Sequence, residues 1–169
     1  MNCISVIFKN PHEIELLQDP LPSPRSGEVL IKTHLSAISS GTEMLVYRGE
    51  FPPKLPVDQD ITTLAQEFTY PLKYGYAAIG RVIETGPAVP NGWLDRMVFC
   101  FHPHESHYVA QPDQLIPVPE DIDPEDALFL PNMESAVNFL MDGRPVIGEA
   151  VVVFGQGVVG LLTTAQLAM

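Results

Sequence analysis

Up to about Val118, apolar and polar residues alternate in short runs that prolines and glycines interrupt. Ile4–Phe8 and Glu13–Leu17 read as two short strands separated by a turn at Asn10-Pro11. Asp19 to Gly27 holds three prolines, a glycine and two serines, so it reads as a loop. Glu28–Ser36 (EVLIKTHLS) alternates as a half-buried strand does, and Gly41–Gly49 reads as a short helix with a glycine stop. Phe51–Pro71 carries four prolines and several acidic residues without a sustained period, which predicts a long exposed loop. Ala77–Thr85 and Arg96–Phe101 are two further strands, and His107–Val118 supplies one or two more, broken at Pro112-Asp113. Short strands joined by Pro/Gly turns predict a small all-β barrel or sandwich.

The period then changes. Asp123-Pro124-Glu125-Asp126 sets an N-cap, a proline at N1 and acidic residues in the first turn of a helix. That helix runs towards Asp142-Gly143, with Pro131 as a kink or a break between two helices. A turn at Gly148-Glu149 leads into a β-branched strand, Ala150–Phe154, and then into Gly155-Gln-Gly157-Val-Val-Gly160 and an apolar helical pattern. Strand, glycine turn and helix in that order are the opening of a dinucleotide-binding unit. Gly155 and Gly157 allow a tight turn and close approach of a pyrophosphate, and Gly160 lets helix and strand pack closely. Val158 and Val159 begin the helix, whose free N–H groups and positive dipole end suit phosphate. The rest of that fold, including an acidic residue about 20 positions on for the ribose, does not follow within this chain.

Composition narrows the function classes. The chain has 169 residues, room for one domain and part of another, and 46% of them are hydrophobic, as in a globular protein. A net charge of −12 repels nucleic acid and anionic lipid. Two cysteines, Cys3 and Cys100, cannot form a zinc ribbon or a disulfide framework, and reduced, buried thiols of a cytoplasmic protein are expected. The N-terminus MNCISVIFKN lacks a basic segment and a long apolar run, so no secretion signal is read. The uncharged stretch from Ala150 onwards is long enough to span a bilayer. Its fingerprint glycines, Gln156, Thr163, Thr164 and Gln166 instead favour the strand–turn–helix reading, and no membrane contact is expected.

An all-β first half followed by a glycine-rich βα turn resembles the medium-chain dehydrogenase/reductase family, whose zinc-type members include alcohol, sorbitol and threonine dehydrogenases. PSPRSGEVLIKTHLSAISSGTEMLVYRGEFP looks like that family's "GEVLVK…GICGTD…G" stretch. YPLKYGYAAIGRVIETG looks like its "P…GHEGAGVVVEVG" stretch, and IGEAVVVFGQGVVG like its "GE.VLV.GAG.VG" entry to the cofactor domain. The resemblance implies a mainly β chain with an α/β C-terminal piece: a GroES-like β-barrel domain followed by the first strand–turn–helix of a Rossmann fold. It implies a substrate domain over residues 1–120, a helical connection over 121–148, and an incomplete dinucleotide-binding domain over 149–169. The cofactor it implies is NAD or NADP. The reaction it implies is hydride transfer between a nicotinamide and a small-molecule alcohol or carbonyl; a homo-oligomer would also fit.

Departures from the family pattern direct attention to particular residues. Aligned on Gly49, Thr42 falls on the family's Thr/Ser and Glu43 on its Asp, which puts Ser40 at the position of the first zinc-ligating cysteine. Tyr76 replaces the histidine ligand and Ala77 the glutamate of GHE, while a third ligand position falls near Glu134. Hydroxyl and phenol are poor zinc ligands beside thiolate and imidazole. The four-cysteine structural lobe that should follow RMVFCF is missing, and FHPHESHYV stands there. A zinc-independent branch is therefore expected, with no metal site.

Without a Lewis acid, another group must stabilise or protonate the substrate oxygen. The resemblance puts the proton-relay hydroxyl at Thr42 and turns Tyr76 into the same cleft, so a Tyr–Thr pair could act as general acid or base. The plainer alternatives are a helix-cap hydroxyl for Thr42 and an aromatic packed at a strand edge for Tyr76. Glu134 could be an orphaned ligand, a substrate-facing acid or a helix surface group. His102, His104 and His107 form the only histidine cluster; with Pro103 breaking the strand, they are expected as loop-tip side chains near a substrate entrance rather than as a metal site. GTEMLVYRGE and KYGY also resemble a sub-branch that includes dehydrogenases of bacteriochlorophyll-type hydroxyethyl side chains. The competing reading is a non-catalytic GroES-like module whose apolar strand–turn–helix docks onto a partner chain.

Overall fold

The computed structural model describes residues 2–51 and 69–168. Contacts divide it into two compact units, Met1–Leu128 and Phe129–Met169.

In the first unit, β1 (Asn2–Asn10), β2 (Glu13–Pro20), β3 (Val29–Ser36) and α1 (Thr42–Arg48) follow the sequence pattern closely, with β1 and β2 longer than the apolar runs alone suggest. Gly49 ends α1 in the left-handed conformation. Beyond it lie β4 (Leu72–Lys73), β5 (Ala78–Thr85), β6 (Met97–Cys100), β7 (His107–Ala110) and β8 (Ile116–Pro117). β7 and β8 are separated by a 3-10 turn at Pro112–Gln114, where the sequence pattern breaks. Most of the expected loop over 51–71 lies outside the described residues.

The strands pair antiparallel in two sheets, ordered β2-β1-β4 and β7-β3-β5-β6-β8, and no closed barrel forms among the described residues. Period-two alternation sorts the larger sheet into two faces. Val29, Ile31, Ala78, Val82, Val98 and Cys100 pack together, while Ile79 and Phe99, opposite each other in register, pack with Ala77. The connection between β6 and β7 is laced to β1: Val6 N–H donates to the His104 carbonyl at 2.9 Å, and Ser106 N–H to the Ile4 carbonyl at 2.8 Å.

α2 (Pro124–Ala127) starts as predicted, with the Asp123 carboxylate accepting from Glu125 N–H at 2.8 Å. Pro131 sits in the first turn of α3 (Leu130–Gly143), so it marks a break between helices rather than a kink. α4 (Val158–Leu167) follows the glycine turn. The strand expected at Ala150–Phe154 does not form. A strand exists only through hydrogen bonds to a neighbour, and this run has none among the described residues. Val152 is 72% exposed and Phe154 94% exposed.

Cys3 and Cys100 are free and buried. Burial pushes the Cys100 thiol up to about 12, and its Sγ–H donates to the Gln114 carbonyl at 3.6 Å. No helix among the described residues is long and apolar enough to cross a membrane.

Candidate active site

The site grows from a carboxylate placed where carboxylates rarely lie. Glu43 and Val46, three residues apart on α1, share its inward face, and Glu43 is 1% exposed. A charge removed from water needs partners. Glu43 has two: Ser39 N–H donates to Oε1 at 3.1 Å, and His104 Nε2 lies 2.8 Å from Oε2. The other ring nitrogen of His104, Nδ1, lies 2.9 Å from Ser36 Oγ at the end of β3. Both nitrogens are thus engaged, which fixes the ring's orientation. The Ser39 hydroxyl accepts from the N–H groups of Gly41 and Thr42, closing the turn into α1.

The ring of His104 also requires Gly75. A Cβ at position 75 would stand 2.9 Å from both Cδ2 and Nε2 of His104, and Gly75 has φ +139°. Side chain and backbone conformation both exclude other residues there. Tyr76 comes next, half-buried, packed against the Phe8/Val46/Leu72/Tyr74 cluster and against the Ala77/Ile79/Phe99 cluster.

These positions revise two sequence expectations. His104 is 7% exposed and hydrogen-bonded to Glu43, so it is not a loop-tip side chain; a carboxylate 61 residues away draws it inward despite Pro103. Thr42 is not a capping hydroxyl, because Gly41 is the N-cap of α1 and Ser39 supplies the capping oxygen. Ser40 lies exposed in the turn before α1, close in sequence to Thr42. Glu134 is exposed on α3 in the second unit.

A second polar cluster lies on the other side of the β6–β7 connection. Glu105 accepts from Ser5 Oγ at 2.6 Å, from His102 Nε2 at 2.7 Å and from Lys73 Nζ. Burial alone would raise this carboxyl, but the hydrogen bonds from His102, Lys73 and Ser5 outweigh it and hold the group at about 2. The His102 ring stacks on Tyr108 with centroids 3.8 Å apart. His107 lies in β7, apart from the pair that holds His104. The three histidines therefore face different partners, and among the described residues no three His, Cys, Asp or Glu side chains converge as a metal site does.

In the second unit the glycine turn is tight. Gly155 has φ +91°, and a Cβ on Gly160 would stand 2.0 Å from the Gly155 carbonyl oxygen. The turn closes only with glycine there. Gly157 is the N-cap of α4, and Val158 and Val159 are its first residues. Thr163 and Thr164 hydroxyls donate to the Val159 and Gly160 carbonyls, holding the first turns.

No family model matches the chain. It is 33% identical over 87 residues to 2-desacetyl-2-hydroxyethyl bacteriochlorophyllide A dehydrogenase of Cereibacter sphaeroides, covering 52% of this chain and 24% of that one. It is 27% identical over 179 residues to L-threonine 3-dehydrogenase of Xanthomonas axonopodis pv. citri, covering 88% and 49%. Its fold superposes with a TM-score of 0.78 on an alcohol dehydrogenase, RspB, from Escherichia coli CFT073, crystallised with NADH, at 19% identity over 98% of this chain and 53% of that one. These relatives and neighbours are medium-chain, zinc-type alcohol-dehydrogenase-like proteins. The chain spans about half their length or less.

Proposed function

We propose that the chain is the N-terminal portion of a nicotinamide-dependent oxidoreductase of the medium-chain type, acting between a small-molecule alcohol and its carbonyl. The observation that carries this is the turn at Gly155 and Gly160, which has no room for a side chain at Gly160 and opens the N-terminus of α4. Residues 1–120 are then the substrate domain, 121–148 the connection, and 149–169 the start of the cofactor domain, which takes NAD or NADP. Free, buried thiols and the net charge of −12 fit a cytoplasmic protein that does not bind nucleic acid.

Bound nicotinamide supplies the hydride acceptor or donor. The chain's own residues hold the substrate oxygen and move its proton. Thr42 and Tyr76 are the hydroxyls that do so. In reduction the Tyr76 phenol gives its proton to the oxygen as hydride reaches the carbonyl carbon, and water reprotonates the phenolate; in oxidation the phenolate takes the alcohol proton and releases it to water, with the Thr42 hydroxyl hydrogen-bonding the same oxygen. Ser40, exposed in the turn that leads to Thr42, joins them at the substrate; Glu134, exposed on α3 of the second unit, is proposed as catalytic on the family resemblance alone. A hydroxyl at Ser40, a phenol at Tyr76 and a lone carboxylate at Glu134 do not suit zinc, so no step is assigned to a metal.

The test is turnover of alcohols and carbonyls by the full-length protein with NAD and NADP, with metal content measured alongside. Tyr76→Phe should lower kcat by about a hundredfold while nicotinamide affinity stays put. An unchanged kcat removes Tyr76 from the chemistry. One zinc per subunit whose removal abolishes turnover overturns the metal-free reading, and absence of any nicotinamide-dependent turnover overturns the oxidoreductase. A second reading, a non-catalytic module docking on a partner chain, is favoured by one observation: the exposed apolar run Val151, Val152 and Phe154, which belongs to no sheet among the described residues.

A further inference from the structure

Segments distant in sequence converge on one imidazole. The His104 ring bonds the end of β3 through Ser36, bonds α1 through Glu43, and fills the space that the missing side chain of Gly75 leaves. Glu43 is the residue after Thr42, and Gly75 is the residue before Tyr76. The ring therefore grips the immediate neighbours of both hydroxyls assigned to the substrate oxygen. Neither ring nitrogen is left to touch a substrate, since Nδ1 and Nε2 both have partners. We infer that His104 is a positioning residue, which, through Glu43 and Gly75, sets the placement of the Thr42 and Tyr76 hydroxyls relative to each other.

This rests on the oxidoreductase reading for its consequence but not for its geometry. A hydroxyl pair that must meet one oxygen loses rate steeply with small displacements. The pair is carried by a seven-residue helix and by a four-residue link between β4 and β5. They meet in the Phe8/Val46/Leu72/Tyr74 cluster, against which Tyr76 packs, and the ring adds the polar contact between them. Glutamine at position 104 keeps an N–H donor for Glu43, whereas leucine fills the space without one. Alanine at position 75 keeps both His104 and Glu43 but pushes on the ring, at Cδ2 and Nε2, from the Tyr76 side.

The test uses His104→Leu, His104→Gln and Gly75→Ala in the full-length protein, each checked for a cooperative melt. His104→Leu and Gly75→Ala should each lower kcat by about 10- to 100-fold with nicotinamide and alcohol KM changed about twofold or less, and His104→Gln should recover much of the loss. Independently of turnover, the NMR signals of the Thr42 methyl and the Tyr76 ring should both shift in His104→Leu, while those of Ile116 in β8 stay in place. If His104→Leu does not fold, the same two shifts are read in Gly75→Ala and His104→Gln. Unmoved Thr42 and Tyr76 signals overturn the positioning role, as does a loss confined to KM. If the signals move but the wild-type protein has no nicotinamide-dependent turnover, the positioning stands and the oxidoreductase falls.

Discussion

The Glu43 carboxylate and the His104 ring lie 2.8 Å apart, the one 1% exposed and the other 7%. Neither alone could occupy that interior. Removing one partner from a buried pair strands the other, a larger penalty than the pair's own net contribution. Glu43→Ala should therefore destabilise the protein by about 3–5 kcal/mol in urea unfolding. A double replacement, Glu43→Leu with His104→Leu, should recover most of that loss. A double variant as unstable as Glu43→Ala would mean that the Glu43–His104 contact itself holds the fold.

Glu105 predicts the acid limb of stability. Its folded pKa of about 2 lies below the ordinary 4.5, so the native state holds this proton less tightly than the unfolded chain. The contribution is fully present above about pH 4.5 and is lost as pH falls towards 2, with a magnitude of roughly 3 kcal/mol. Glu105→Gln should cost that much at pH 7 and only about 0.4 kcal/mol at pH 2. Denaturant midpoints of the two proteins across that range check it, and parallel curves would show that Glu105 contributes no pH dependence.

Cys100 should be chemically silent in the native state. With the thiol at about 12 rather than 9, the thiolate fraction is about a thousandfold lower than for an ordinary cysteine at the same pH. Alkylation at pH 8 should follow global unfolding, and its rate should track denaturant concentration. Fast labelling of Cys100 without unfolding would contradict this burial.

Gly160→Ala should act on the second unit alone. The new methyl meets the Gly155 carbonyl at 2.0 Å and opens the turn. Nicotinamide affinity should fall about tenfold or more, while the unfolding of the Met1–Leu128 unit is unchanged. Calorimetry and cofactor titration together separate the two effects.

Strands β1, β3, β5 and β6 were legible because alternation and Pro/Gly punctuation are local signals. β4 was not: two residues in a proline-rich stretch become a strand only because β1 offers Ile7 and Phe8 as partners. Ala150–Phe154 failed in the opposite direction, with strong β propensity and no neighbour to pair with among the described residues. At the candidate site, Thr42 and Tyr76 were singled out by family resemblance, whereas His104 was not, since Pro103 argues for a loop and its partner is distant in sequence. One signal was available. Glu43 stands on the same helix face as Val46, and a carboxylate on an inward face demands a partner.

The six residues that join β6 to β7 carry more than a connection. His104 faces α1, Glu105 faces Ser5 and Lys73, and Ser106 hydrogen-bonds Ile4, so the segment is stitched to α1 on one side and to β1 and β4 on the other. By its resemblance to the zinc-type proteins, this is also where a cysteine lobe would sit. The stitches make that exchange a one-way door. Grafting a metal-binding insertion between Phe101 and His107 would unpick the first strand and the helix that carries Thr42 together. A designer wanting metal in this scaffold would have to rebuild both before the first ligand could be placed.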